Sequence, residues 1–213
     1  MQSNYDKQVC IARELFLKYE QQDMIDKYDL EYDEDYIYLM FIGDRYRISR
    51  ENGEVEVFGK AVEAYEPCKD FNVVMSLYDV LCYPKGTPAL ANEWCPLNGL
   101  QVTMSSPSAD VFNQKYADRF AENTDVLRQV CRELDGAPLQ VSAGADVCCQ
   151  LDLFPFFPIQ FRFWDKDDEF PANIQLLWDR NSLKFMHFET LYYVMGHLMR
   201  KMVKTFDEII QPH

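Results

Sequence analysis

With 213 residues, 48% of them apolar and only 8 Gly and 10 Pro, the chain is long enough to bury a core of its own and too lean in Gly and Pro to be fibrous or low-complexity. Its 35 acidic against 21 basic residues give a net charge of −14, which argues against nucleic acid, bound through phosphate neutralisation, and against docking on an anionic membrane. Cations, basic partners or plain solubility remain compatible with that charge.

The chain opens Met-Gln-Ser-Asn-Tyr-Asp, polar and acidic, without the basic start and apolar stretch of a secretory leader. Over residues 6–27, Val9, Ala12, Phe16, Tyr19 and Ile25 recur near helical spacing and predict one amphipathic helix. The acidic stretch 29–35 interrupts the pattern and reads as a solvated loop. The period then changes to two. Residues 36–42 form an aromatic and β-branched run, Gly43-Asp44 marks a turn, residues 45–48 alternate, and Asn52-Gly53 precedes the alternating Val55-Glu56-Val57. Together they predict a three-stranded antiparallel meander. The run 36–42 is less than half a membrane span.

Asp70 is the expected N-cap of a helix over 71–83, stopped by Pro84-Lys85-Gly86. Residues 89–100 read as a packed irregular segment. Ser106 or Ser108 would cap a helix over 109–121, and another follows over 124–134, closed by Asp135-Gly136. Strands return at 146–153, 159–164 and 174–178. The last element, 188–209, is a helix with Leu191, Met195, Leu198, Met202 and Phe206 along one face. Two blocks of strands without a βαβ rhythm give an α+β fold. The expected sheet is largely antiparallel, built from the N-terminal meander and the C-terminal strands, with several packed helices. No linker divides residues 1–213, so one domain is expected.

Seven cysteines, an odd number with no Cys-x-x-Cys, read as reduced thiols and place the protein in the cytoplasm. Cys148 and Cys149 are neighbours on a strand, pointing to opposite faces, so one buried and one exposed or sheet-facing thiol is expected. The densest candidate site is Trp164-Asp165-Lys166-Asp167-Asp168-Glu169-Phe170-Pro171, four carboxylates within five residues. Hard cations need several oxygen ligands in a small volume, and Asp167, Asp168 and Glu169 would be the ligands. The segment is not an EF-hand loop, because its sixth and twelfth positions from Asp165 are Phe170 and Leu176. The competing reading is a hydrophilic connection whose Asp side chains satisfy turn amides. His187 and Glu189, at a helix start, form a second local pair suited to proton chemistry or to a helix N-terminus. Phosphate loops, dinucleotide fingerprints, nucleophile elbows and zinc spacings are all missing.

The series Leu153-Phe154-Pro155-Phe156-Phe157-Pro158, then 164–172, then Leu177-Trp178-Asp179, then His187-Phe188-Glu189 resembles a prokaryotic family of unknown function, domain of unknown function 3786. The similarity runs back through 71–83, the Trp94 region and Arg119-Phe120, covering most of the chain over about 28–209. The resemblance implies no reaction and no cofactor. Some relatives carry a cysteine-rich iron–sulfur module, which hints at anaerobic redox or corrinoid-linked metabolism; this chain has no clustered cysteine run, so no such site carries over. Two functions are therefore expected. The first is a non-catalytic binding or accessory domain that takes a protein or small molecule at Trp164, Asp165, Asp167, Asp168, Glu169, His187 and Glu189. The alternative is a divalent-metal or carboxylate enzyme in which Asp167, Asp168 and Glu169 coordinate a cation or act as acid and base, with His187 or Glu189 brought near by the fold. Self-association into a homo-oligomer is a third expectation, resting on the 15% aromatic content alone.

Overall fold

A computed structural model describes residues 4–100, 109–140 and 144–211. The elements are helices α1 (Asn4–Lys18), α2 (Gln21–Tyr28), α3 (Phe71–Cys82), α4 (Ala109–Phe120), α5 (Thr124–Glu133) and α6 (Phe188–Ile210). The strands are β1 (Tyr36–Phe41), β2 (Asp44–Ser49), β3 (Val55–Gly59), β4 (Ala64–Pro67), β5 (Trp94–Pro96), β6 (Ala137–Pro138), β7 (Val147–Phe154), β8 (Phe157–Trp164) and β9 (Asn173–Asp179). They make two antiparallel sheets, β1-β2-β3-β4 and β5-β9-β8-β7-β6, and the fold is α+β. Among the described residues no helix is long and apolar enough to cross a membrane.

The chain separates into two compact units, each assembled from three stretches. Unit one comprises Met1–Ala89, Phe154–Phe156 and Leu183–His197; unit two comprises Leu90–Leu153, Phe157–Ser182 and Leu198–His213.

In unit one the four-stranded meander obeys its sequence alternation. Ile37, Leu39 and Phe41 on β1 and Tyr46 and Ile48 on β2 are buried, while Tyr36, Tyr38, Met40, Arg45 and Arg47 alternate with them. On that second face the Arg47 guanidinium lies over the rings of Tyr36 and Tyr65 and pairs across the strands with Glu56. Ile42 and Gly43 form the two-residue β1–β2 turn with φ of 48° and 73°, the positive values a type I′ hairpin demands. The expected single helix over 6–27 is two helices. Glu20 breaks it with extended backbone and caps α2 through the Gln22 amide, and Asp29 closes α2 in the left-handed region. Hydrophobic spacing ran across the break because both helices bury residues, Phe16 on α1 and Met24 and Ile25 on α2. Asp70 caps α3 through the Asn72 amide at 2.9 Å, as its position predicts.

In unit two, β8 alternates fully buried Phe157, Ile159, Phe161 and Phe163 with Gln160, Arg162 and Trp164. Phe120 of α4 and Phe206 of α6 join this core, edge to face with each other at 5.1 Å. The segment expected to be irregular contains β5, paired with β9. Asp135, with φ of 56°, and Gly136 end α5. Gly136 donates to the Cys131 carbonyl at 2.7 Å, and a Cβ there would lie 2.6 Å from that oxygen, so only glycine fits. The Ser106 and Ser108 caps fall outside the described residues. Cys148 and Cys149 are both buried, so of the two alternatives for the second thiol, exposed or sheet-facing, the exposed one is excluded. Both faces of β7 are covered at this end: Cys148 lies beside Arg162, and Cys149 lies beside Cys131.

Candidate functional site

The acidic segment is the β8–β9 connection, in unit two, and most of its polar chemistry is spent on its own backbone. The Asp165 carboxylate accepts from the Glu122 amide at 2.9 and 3.1 Å and from the Lys166 amide at 2.8 Å. The Asp165 amide in turn donates to Asp146 at 2.7 Å, and Lys166 pairs with Glu122 at 3.1 Å. Asp167 Oδ1 accepts from the amides of Glu169 and Phe170 at 2.8 and 2.7 Å, while the Asp167 amide donates to the Phe170 carbonyl at 3.0 Å. This is the side-chain-capped turn that Asp favours. On the return, Gln114 Nε2 donates to the Ala172 carbonyl at 3.0 Å, and Ala172 is buried.

The segment is thus pinned at Asp165, Asp167 and Ala172. Asp168 and Glu169 are exposed, and between those carboxylates and Pro171 the ring of Phe170 stands 66% exposed. Among the described residues no group of three or more His, Cys, Asp and Glu side chains could hold a metal ion.

His187 and Glu189 belong to unit one. Glu189 is an exposed acid in the first turn of α6, where the helix dipole favours it. His187 immediately precedes α6, and its carbonyl accepts from Thr190 and Leu191. Its partner is Asp79, on α3: the His187 amide donates to Asp79 Oδ2 at 2.8 Å, and Nδ1 meets Asp79 Oδ1 at 2.7 Å. A carboxylate only accepts, so the bond assigns the proton to Nδ1 and leaves Nε2 an acceptor in the neutral ring. The Tyr83 ring lies 3.9 Å from the imidazole. Asp79 is largely buried while His187 is more than half exposed, which makes Asp79 the orienting member of the pair.

Sequence reasoning passed over Asp79 because its partner lies 108 residues away. The available signal was an acid between Tyr78 and Val80 in a helix whose neighbours are almost all apolar; such an acid needs a partner. Lys27 was also missed. Its ammonium donates to the carbonyls of Leu81 at 3.2 Å and Pro84 at 3.0 Å, which satisfies the C-terminal end of α3 and fixes the start of the next loop. Burial holds the Lys27 ammonium below its usual range.

Pro155 and Phe156, between β7 and β8, form an apolar corner of unit one. With Tyr28, Tyr38, Met40 and Arg45 it lines a cleft of about 230 Å³, and Phe156 stacks on Tyr28 with ring centroids 3.8 Å apart.

A family model described as a domain of unknown function (DUF3786) matches residues 20–201. No curated protein and no solved structure matches the chain. The matched span takes in α2, both sheets and the greater part of α6, leaving out α1 and the last turns of α6. The chain belongs to the DUF3786 family.

Proposed function

We propose that the protein is a non-catalytic binding module that presents the 164–171 turn to a basic segment of a partner protein. The observation that carries this reading is Phe170, 66% exposed beside Asp168 and Glu169, on a turn whose amides Asp167 has already satisfied. A pinned turn loses little conformational freedom on binding. Burying one phenyl ring gains about 1.5–3 kcal/mol, and flanking carboxylates steer a cationic partner and fix its register. The overall charge of −14 acts in the same direction. None of the seven cysteines is in a disulfide, which supports a reducing, cytoplasmic setting for such a module.

The test replaces only the groups left free for a partner, as Asp168→Asn, Glu169→Gln and Phe170→Ser together, and keeps Asp165 and Asp167 so that the turn persists. Selection of a random peptide display library against the full chain should enrich Lys- and Arg-bearing peptides. Their affinity should fall at least about tenfold in the triple variant, with an unchanged unfolding midpoint. Peptides that bind the variant equally well, or an acidic consensus, would remove the site from this turn.

A further inference from the structure

Unit one contains a second place with unspent chemistry. Beyond α3, the loop from Tyr83 to Ala89 faces Leu183 and Lys184 across a cleft of about 590 Å³. In a chain of net charge −14, the walls of this cleft carry two lysines, Lys85 and Lys184, and not one carboxylate. Both lysines are exposed, and neither has an ion-pair partner among the described residues. Two ammonium groups sharing one concavity, without a counter-charge, create a local positive field against the sign of the molecule. Such a field favours anionic oxygen.

The cleft is also tied to the oriented imidazole. Tyr83 lines the cleft and packs on His187, which adjoins the cleft through that ring and is not itself one of its wall residues; the His187 Nδ1 and backbone amide are both taken by Asp79. That arrangement leaves Nε2 as a fixed acceptor, without a partner among the described residues, on a ring that is 56% exposed. The loop itself is anchored by Lys27 on the Pro84 carbonyl, so the lysine and the tyrosine stand on a supported backbone.

We propose that this cleft binds a small organic anion bearing a nearby hydroxyl, with Lys85 and Lys184 holding the phosphate or carboxylate group and His187 Nε2 accepting the hydroxyl hydrogen. Asp79 is the positioning residue, since it sets the tautomer that makes Nε2 an acceptor. The site uses none of the residues of the 164–171 turn, so each assignment can fail without the other.

The experiment is nitrogen-15 NMR of the three histidines of the full chain at about pH 8, where imidazole is neutral, titrated with glycerol 3-phosphate and, separately, with lactate. Before addition, His187 should show the Nδ1-protonated tautomer. Addition of either probe should then move its ring signals saturably. A response to glycerol 3-phosphate alone identifies the anion as phosphate, and a response to lactate alone identifies it as carboxylate.

Lys85→Ala with Lys184→Ala should weaken binding by at least about tenfold while leaving the tautomer signal intact, which shows that the fold survives. His187→Asn should retain anion binding, followed by the lysine resonances, but lose the preference for glycerol 3-phosphate over methyl phosphate and for lactate over propionate. Asp79→Asn should shift His187 toward the Nε2-protonated tautomer and erase the same preference. Absence of a saturable shift with both probes overturns the proposal, as does equal affinity in the double-lysine variant.

Discussion

Asp179, in unit two, is an acid with no exposed surface. Its two oxygens accept from the amides of Ala91 at 2.9 Å, Asn92 at 2.7 Å and Asn181 at 2.8 Å. One buried side chain therefore closes its own turn after β9 and fastens the chain leading into β5, where Asn92 takes a positive φ of 57°. Removing the carboxylate would deprive three part-buried amide donors of their acceptor, and a polar group left unpaired costs about 1–3 kcal/mol where water cannot replace the lost partner. Asp179→Ala should lower stability by about 3–5 kcal/mol. Asp179→Asn should cost less, since one carbonyl oxygen remains an acceptor while the amide NH2 opposes a donor. Urea unfolding of the three proteins checks this, and equal midpoints for wild type and Asp179→Ala would show that the bonds contribute nothing net. Leu177 and Trp178 fell in a predicted strand, but Asp179 was visible in the sequence only as part of a family resemblance. Nothing local announced that the Asp reaches amides 88 and 87 positions upstream, and Asp79 escaped notice for the same reason. A buried acid at the end of an apolar run states a need for partners but not where they are.

At the scale of elements, the acidic stretch before β1 is more than the solvated loop its composition suggests. Tyr38 donates to the Glu31 carbonyl, Asp33 donates to the Tyr36 carbonyl, and Tyr32 bridges to Ile37, so the stretch covers part of the open edge of β1. Asp33 holds it in place. Its carboxylate accepts from the Tyr38 hydroxyl at 2.7 Å and from the amides of Tyr36 at 2.7 Å and Asp35 at 2.9 Å. The Tyr38 hydroxyl above all, and then the Tyr36 amide, hold its pKa below the usual carboxylate range. A carboxyl whose pKa is lower in the folded than in the unfolded chain stabilises the fold above the unfolded value, near 3.8. That contribution is lost as pH falls through the lower, folded value. Wild type should therefore exceed Asp33→Ala in melting temperature at neutral pH, and the gap should close as pH drops well below 4. A gap that stays constant over that range would detach Asp33 from the acid limb. The strands behind this edge were legible because their burial follows a period of two, and the Asn52-Gly53 turn did join β2 to β3. The fourth strand was not legible: Ala64-Tyr65-Glu66-Pro67 is an edge with only Tyr65 half-buried, so no alternation marks it. At the acidic turn after β8 the limits Trp164 and Pro171 were legible, but not whether Asp165 and Asp167 would turn toward a ligand or toward backbone amides.

For the molecule as a whole, the division into two units does not follow the sequence. The chain passes from one unit to the other at residues 89–90, 153–154, 156–157, 182–183 and 197–198. Two of these crossings fall inside a strand or an α-helix: β7 ends one residue beyond its crossing, and α6 runs for 23 residues across another. A helix propagates cooperatively, and breaking it mid-length forfeits hydrogen bonds on both sides of the break. Neither unit can unfold alone without releasing the end of an element that the other contains, so we propose that residues 1–213 unfold as one domain. The aromatic residues provide separate reporters. Of 13 tyrosines all but Tyr116 lie in unit one, while Trp94, Trp164 and Trp178 all lie in unit two. Tyrosine near-ultraviolet absorbance and tryptophan emission, followed through the same urea titration, should give coincident transitions with one midpoint and one slope. Two separated midpoints would show two independently stable units, and the probe that moves first would name the weaker. The same titration repeated with Asp179→Ala makes the test sharper: the substitution lies in unit two, so in a single cooperative domain the tyrosine signal of unit one must shift by as much as the tryptophan signal does.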